Sequence, residues 1–142
     1  MTLAEFHYLI GDTVMRCQHI EEEVKMIYAI LAKGRFSDNY ERICNDSLGQ
    51  VLVALQEMDE SDGRPFISKH DYEFLLRMKN KRNHWCHEAY VNFIYIDDFL
   101  ESTAYKKECK ALAADNEELA NLSERLEEAR VKAFEIYRKA KK

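Results

Sequence analysis

The apolar residues between positions 3 and 31 recur in steps of three and four. They are Leu3, Phe6, Ile10, Val14, Cys17, Ile20, Val24, Ile27 and Leu31. Residues at these intervals share one face of a helix, so the pattern predicts a long amphipathic helix. We expect it to end near Gly34, because a glycine commonly follows the last turn of a helix.

A shorter helix is predicted after a polar linker at residues 35–45. Its apolar stripe consists of Leu48, Val51, Leu52, Leu55 and Met58. Asp46 or Ser47 is the expected N-cap, since short polar side chains accept hydrogen bonds from the free amides of a first turn.

The next predicted helix begins after residues 59–65, which hold the only proline of the chain. Ser68 is its expected N-cap, and Asp71 stands three residues further on. We expect this helix to continue to about Asp97 and the chain to turn at residues 98–102.

The last segment has an unbroken helical pattern. Steps of three and four join Leu119, Leu122, Leu126, Ala129, Ala133, Ile136 and Ala140. This spacing is typical of a long helix packed along a neighbour, and its small alanines favour a bundle over a free coiled coil. We therefore predict an all-α, up-and-down bundle of four to five helices with a long C-terminal helix, formed by residues 1–142 as a single domain.

Composition supports a helical chain and limits its partners. One proline and four glycines in 142 residues leave few of the residues that interrupt helices. The 21 basic and 26 acidic residues give a net charge of -5, so a nucleic-acid site would have to be a local patch. The glycine-rich loops that cradle nucleotide phosphates do not occur in the sequence.

The sequence predicts a cytoplasmic protein without a membrane segment. Residues 1–12 lack the basic start and the apolar run of a signal peptide, and no stretch approaches the ~18 apolar residues of a membrane helix. The four cysteines form no CxxC pair, so we expect reduced and mostly buried thiols. They are Cys17, Cys44, Cys86 and Cys109.

One basic segment, LLRMKNKRNHWCH at residues 75–87, interrupts the acidic chain. It contains no acidic residue, and its cations are Arg77, Lys79, Lys81 and Arg82. Together with His84, these charges form a candidate contact for the phosphates of RNA. The alternative is the solvated face of an ordinary charged helix.

An arginine also interrupts an apolar stripe on this helix. The stripe consists of Leu75, Met78, Arg82, Trp85, Ala89, Phe93 and Ile96. We expect the stripe to face a core or an interface, where the permanently charged Arg82 needs a partner or a path to water. The neighbouring Asn83, His84 and His87 predict either a proton-transfer site with a phosphate clamp or a polar network between helices.

The hexapeptide RNHWCH at residues 82–87 resembles the R-x4-H motif of HEPN (higher eukaryotes and prokaryotes nucleotide-binding) domains, in which a polar residue follows the arginine. The family's helical bundle and size match the predicted fold. The resemblance implies a metal-independent endoribonuclease without cofactors, commonly a toxin or antiphage effector, that acts on RNA as a homodimer. It implies that Arg82 and His87 are the catalytic pair and that Asn83 supports them.

These residue types suit RNA cleavage by the neighbouring 2′-hydroxyl. An imidazole titrates near neutral pH, so His87 can take or give a proton. Arg82 can hold the phosphate bidentately, and Asn83 can orient His87. The expected products are a 2′,3′-cyclic phosphate and a 5′-hydroxyl.

Helical geometry favours a homodimer as well. Five residues of an α-helix rotate by roughly 140°, so Arg82 and His87 would not share a face. Two copies related by a two-fold axis can complete a composite site, with the arginine from one and the histidine from the other.

One branch of the family carries a tyrosine two residues after the motif histidine, and a nucleotidyltransferase antitoxin can adenylylate it. In this sequence Ala89 stands at that position and Tyr90 one step later. We therefore do not expect neutralisation by that route. An antitoxin or a nucleotidyltransferase partner of another kind stays open.

Other chemistry fits these residues less well. His84, Cys86 and His87 on one helix would direct zinc ligands apart, so no metal site is predicted. We expect Cys86 to be a buried thiol rather than a nucleophile, and we expect four aromatic residues to be core rather than base-stacking. These are Tyr90, Phe93, Tyr95 and Phe99. The main alternative function is a non-catalytic helical adaptor or nucleotide-binding module that acts through protein contacts.

Overall fold

A computed structural model describes residues 1–140, with side chains through residue 137. Within this range the chain consists of helices and turns without a strand, which confirms the predicted all-α helical bundle. Its α-helices are α1 (Leu3–Leu31), α2 (Phe36–Ile43), α3 (Leu48–Glu60), α4 (Lys69–Asn83) and the long α5 (Thr103–Ala140). A π turn (His84–Glu88) and a 3-10 turn (Phe99–Glu101) lie between α4 and α5.

The helices belong to two compact units. Unit 1 comprises Met1–Gln18 and Arg77–Asn121, and unit 2 comprises His19–Leu76 and the chain from Leu122 onward. Each unit therefore uses part of α1 and part of α5. The assignment of residues 1–142 to a single domain stays a prediction.

The end of α1 and the start of α2 show where the sequence was misread. Gly34 has a φ of +103°, a left-handed conformation that ends α1 where expected. The following residues, expected to be a linker, form α2 instead. Asn39, 1% exposed, donates hydrogen bonds from Nδ2 to the carbonyl oxygens of Ala29 and Ala32, both at 3.1 Å. This tertiary anchor holds a helix of only eight residues, in which Phe36, Tyr40 and Ile43 recur at helical spacing.

Helix α3 begins as expected at Ser47. The Ser47 side chain accepts a hydrogen bond from the backbone of Gln50, and the Gln50 side chain accepts one from the backbone of Ser47. This capping box satisfies two amides that the first turn leaves without partners. The expected stripe is buried at Val51, Leu52 and Leu55.

The segment between α3 and α4 is held by one buried carboxylate. Asp59 is 4% exposed and accepts hydrogen bonds from the amides of Phe66 at 2.8 Å and Ile67 at 3.1 Å. The hydroxyl of Tyr72 donates a third at 2.6 Å. Burial, with this hydrogen bond, raises the pKa of Tyr72 far above its ordinary value. Ser68 then caps α4, as expected, by accepting a hydrogen bond from the amide of Asp71.

The seam of α5 is buried for most of its length. Its buried members are Leu119, Leu122, Leu126, Ala129 and Ala133. Ile136 is 57% exposed, so the prediction that it belongs to the buried seam was wrong. Ile136 follows Leu119 by seventeen residues. Because an α-helix has 3.6 residues per turn, the two side chains point about 100° apart around the helix axis. Ala140 lies beyond the residues whose side chains are described.

Unit 1 is built around an aromatic core. Its buried members are Phe6, Trp85, Ala89, Phe93, Tyr105 and Leu112. The ring of Phe93 lies 5.5 Å from Phe6 and 5.1 Å from Tyr105, both in edge-on arrangements. Burial, with a hydrogen bond to Cys109, raises the pKa of Tyr105 to about 12.

The expected continuation of α4 to Asp97 was wrong. The helix ends at Asn83, and the π turn and a series of turns follow. The buried residues Trp85, Ala89 and Phe93 are four apart, a spacing wider than the 3.6 residues of an α-turn. The wider π turn accommodates it. Ile96, expected in the same buried stripe, is 42% exposed because the helix does not reach it.

Replacement of Asp59 by alanine removes the shared acceptor of two amides and one hydroxyl. We expect the free energy of unfolding to fall by about 2–4 kcal/mol, because largely buried donors lose a charged partner. Urea unfolding followed by circular dichroism measures the change. Glu57→Ala, at an exposed acid of the same helix, should stay within about 0.5 kcal/mol of the wild type. Equal losses in both variants would contradict the role assigned to Asp59.

Candidate functional site

The hexapeptide at residues 82–87 spans the junction between α4 and the π turn. Arg82 and Asn83 are the last residues of α4, and His87 lies within the π turn. A π turn closes hydrogen bonds between residues five apart, so such residues lie about one turn apart along the chain. The continuous α-helix assumed for the ~140° offset was therefore wrong, because part of the interval from Arg82 to His87 lies in the π turn.

The side chains of the hexapeptide differ in exposure. Trp85 is 2% exposed and anchors the turn in the core of unit 1. His87 is exposed, and Arg82 and Asn83 are half-buried. The turn therefore presents an imidazole to solvent, and the half-buried guanidinium of Arg82 precedes it at the end of α4. These two residue types suit proton transfer next to a bound anion.

His84, an expected RNA contact, is engaged inside the protein. Its Nε2 lies 2.9 Å from Oε2 of Glu108, and its Nδ1 lies 3.7 Å from Oε2 of Glu88. Its ring meets Trp85 edge-on, with 4.5 Å between the ring centres. Glu108 is 9% exposed and also accepts a hydrogen bond from Nδ2 of Asn92 at 3.1 Å.

Lys81, another expected RNA contact, is bound to α5. Its Nζ lies 2.7 Å from Oδ1 of Asp115 and 3.9 Å from Glu118. The other oxygen of Asp115 accepts a hydrogen bond from Nε1 of Trp85 at 2.9 Å. Lys79 and Arg77 have exposed side chains. These two residues carry the positive charge of the segment that lies most open to solvent.

The sequence reading missed the two carboxylates of α5 that hold this region. Glu108 and Asp115 are seven residues apart, close to two turns, so they lie on the same face as the buried Leu112 between them. That shared face was the available signal. It was obscured because α5 is rich in acidic residues, most of which are exposed.

The residues just after the π turn are partly exposed. Phe93 is buried, but Tyr95 is 92% exposed, so its place in the core was wrong. Tyr90 is half-buried, and its hydroxyl lies 2.5 Å from Nδ1 of His7. Burial raises the pKa of Tyr90. Phe99 is half-buried against the aromatic core.

The cysteines were only partly predicted. All four are free thiols, but Cys17 alone is buried. Cys86 is exposed, contrary to expectation, because its neighbour Trp85 takes the buried position of the turn. Cys44 and Cys109 are half-buried.

A second polar chain, in unit 2, contains a serine, a histidine and a carboxylate. The Oγ of Ser123 lies 2.7 Å from Nδ1 of His19, whose Nε2 lies 3.3 Å from Glu23. Glu23 is 2% exposed and accepts a hydrogen bond from Arg130 at 2.6 Å. Ser123 lies within α5, where backbone amides bond within the helix and cannot hold an oxyanion. This row of hydrogen-bonded side chains therefore joins α1 to α5 rather than forming a hydrolytic site.

A groove of about 460 Å³ in unit 2 runs beside the start of α4. Two of its charged side chains, Arg125 and Asp71, form an ion pair. Arg125 donates to both oxygens of Asp71, at 3.0 and 2.9 Å, and Asp71 is 5% exposed.

Within residues 1–140, the described side chains include no group of three or more His, Cys, Asp or Glu placed to hold a metal ion. In the same range, no helix has the length and apolar character needed to span a membrane.

Comparison of the chain with models of known protein families, with curated proteins and with solved structures finds no match. The candidate site therefore rests on its own geometry and residue types.

The exposure of Cys86 can be measured by thiol modification. We expect one cysteine of the folded protein to react rapidly with a thiol reagent such as dithionitrobenzoate. Cys86→Ser should remove this fast phase, because the side chain is exposed on the π turn. Cys17→Ser is the matched control and should keep the fast phase, since Cys17 is buried. A fast phase that survives Cys86→Ser would contradict the described turn.

Proposed function

We propose that the protein is a metal-independent endoribonuclease of the HEPN type, with Arg82 and His87 as its catalytic pair and Asn83 in support. The observation that carries this proposal is the π turn at His84–Glu88, which coincides with the R-x4-H hexapeptide. Single π turns are rare. They occur mostly inside α-helices, and they are frequent at functional sites. The motif and the turn are separate observations, and they share the four residues 84–87.

The proposed reaction uses the 2′-hydroxyl of RNA as nucleophile. The 2′ oxygen forms a bond to the scissile phosphorus, and the bond from phosphorus to the 5′ oxygen breaks. The 2′-hydroxyl loses a proton and the departing 5′ oxygen gains one, and His87 serves in this transfer because its imidazole is exposed and can both accept and donate a proton. Arg82 stabilises the negative charge that develops on the phosphate.

The basic residues of α4 have separate parts in the proposal. Lys79 and Arg77 carry exposed charges that can follow the phosphates of a bound strand. Lys81 and His84 are paired with Asp115 and Glu108, so their contribution to RNA binding requires exchange of those partners.

A homodimer is part of the proposal, and the surface after the π turn supports it. Several apolar side chains of this segment are 42–92% exposed, namely Val91, Ile94, Tyr95, Ile96 and Leu100. Residues 75–87 carry four cations and no acid, whereas residues 88–101 carry four acids and no cation. A two-fold axis near this boundary would place opposite charges against each other twice and cover the apolar side chains.

A role as a toxin or antiphage effector in the cytoplasm remains part of the proposal. Ala89 stands where one family branch has its modifiable tyrosine, and it is 3% exposed. The hydroxyl of the neighbouring Tyr90 is hydrogen-bonded to His7. These contacts favour an antitoxin that acts by covering the site over one that adenylylates it.

The exposed apolar segment also favours a second candidate function, a non-catalytic adaptor. In that case the side chains between Val91 and Leu100 would bind another protein, and the polar residues of the hexapeptide would serve structure. Cleavage of RNA separates the two candidates.

Incubation of the purified protein with total RNA in EDTA should produce fragments that end in 2′,3′-cyclic phosphate and 5′-hydroxyl groups. Arg82→Ala and His87→Ala should each lower the cleavage rate at least about a hundredfold, because each removes a proton-transfer or charge-stabilising group. Arg64→Ala and His70→Ala change exposed residues of the same types and should leave the rate unchanged. Arg82→Lys is a conservative third variant. Circular dichroism of the variants checks that a lower cleavage rate does not result from a folding defect. Intact RNA with the wild-type protein would favour the adaptor, and cleavage that needs a divalent cation would contradict the mechanism.

A mixing experiment tests whether the site is shared between two copies. Arg82→Ala and His87→Ala proteins are each inactive alone under the proposal. When they are unfolded together and refolded, half of the dimers are mixed, and each mixed dimer contains one complete composite site. We expect about a quarter of the wild-type activity to return. No recovery, with dimers confirmed by sedimentation, would show that each copy acts with its own pair.

A further inference from the structure

The π turn is held from outside by two carboxylates that each bind two side chains. Asp115 binds Lys81 with one oxygen and Trp85 with the other, at 2.7 and 2.9 Å. Lys81 directly precedes the hexapeptide, and Trp85 lies within it. This carboxylate therefore joins the last turn of α4 to the π turn.

Glu108 makes the corresponding bridge one step later. Its Oε2 lies 2.9 Å from Nε2 of His84, and its Oε1 accepts a hydrogen bond from Nδ2 of Asn92 at 3.1 Å. His84 opens the π turn and Asn92 follows its end. Between them, the two carboxylates use all four of their oxygens on residues that bracket Arg82 and His87.

A π turn needs such support more than an α-turn does. Its hydrogen bonds are an irregular part of the helical ladder, and π turns are rare for that reason. Burial of Trp85 fixes how deep the turn lies, but packing alone is compatible with small rotations of the turn about the chain. Two charge-assisted bridges from the rigid α5 remove that freedom, because they act on side chains before, within and after the turn.

We propose that Glu108 and Asp115 are positioning residues, which fix the rotation of the π turn and so set where Arg82 and His87 meet the scissile phosphate. This proposal rests on the proposed ribonuclease activity. Neither carboxylate touches the substrate. They act on catalysis because a displacement of about 1 Å in a catalytic group can cost about a hundredfold in rate.

The kinetic signature of a positioning role differs from that of an RNA contact. In Glu108→Gln we expect kcat to fall at least about tenfold, whereas KM stays within about threefold, because the exposed Lys79 is unaffected. Lys79→Ala should show the opposite pattern, with a raised KM and a nearly unchanged kcat.

Substitutions at Asp115 provide an internal rescue. Asp115→Ala removes both hydrogen bonds, whereas Asp115→Asn keeps an acceptor for Trp85 and loses the ion pair with Lys81. We expect kcat to decrease in the order wild type, Asp115→Asn, Asp115→Ala. Glu117→Gln is the matched control, since it removes one negative charge from an exposed position of the same helix. Its kcat should equal that of the wild type.

Tryptophan fluorescence reports the turn without any RNA. Trp85 is the only tryptophan of the chain, its Nε1 donates to Asp115, and its ring contacts His84. We expect the emission of full-length Asp115→Ala and Glu108→Gln to shift relative to the wild type, because the indole changes its partners. The emission of Glu117→Gln should not shift. Glu108→Gln carries the fluorescence test alone if circular dichroism shows that Asp115→Ala does not fold.

The two measurements separate this inference from the function on which it rests. Cleavage by the wild type with unchanged kcat in both carboxylate variants overturns the positioning role and leaves the ribonuclease intact. Absence of cleavage by the wild type overturns the ribonuclease, and fluorescence alone then decides whether the carboxylates hold the turn. If the emission is unshifted in every variant, the inference that Glu108 and Asp115 hold the π turn is overturned as well.

Discussion

The indole of Trp85 enters the aromatic core of unit 1 with its one polar atom directed at Asp115. A buried N–H without an acceptor costs about 1–3 kcal/mol, so the ring is strongly constrained to this orientation. The π turn that carries the ring is constrained with it. The exposure of Cys86 and His87 and the half-burial of Arg82 follow from the same constraint, because neighbours of a fixed, buried residue must take the remaining faces of the turn.

Much of the fold could be predicted from the sequence where apolar periodicity is long. Helices α1 and α5 were recognised for this reason, and the caps at Ser47 and Ser68 followed from local side-chain chemistry. Helix α2 was missed because it has only eight residues, five of them polar, so the helical spacing of Phe36, Tyr40 and Ile43 is a very short pattern. The end of α4 was missed because π turns are rare, and a spacing of four residues also fits an α-helix.

The candidate site divides in the same way. The hexapeptide at residues 82–87 is visible in the sequence, because its charge and spacing stand out from an acidic chain. The carboxylates that hold it lie 24 to 34 residues further along, and only the packing of α5 on the turn brings them close. The sequence could indicate which groups are candidates for chemistry. It could not show that Lys81 and His84 are already paired, since pairing of this kind depends on tertiary contacts.

The reversal of charge at residue 88 has a consequence for handling the protein in solution. Four cations on one side of this boundary and four acids on the other give the region a large local dipole. At physiological ionic strength, attraction between exposed charges is screened over roughly 8 Å. The electrostatic part of any association made through these segments therefore weakens as salt is added, and so does contact with a polyanion. Salt concentration is thus a variable that acts on self-association and nucleic-acid binding together.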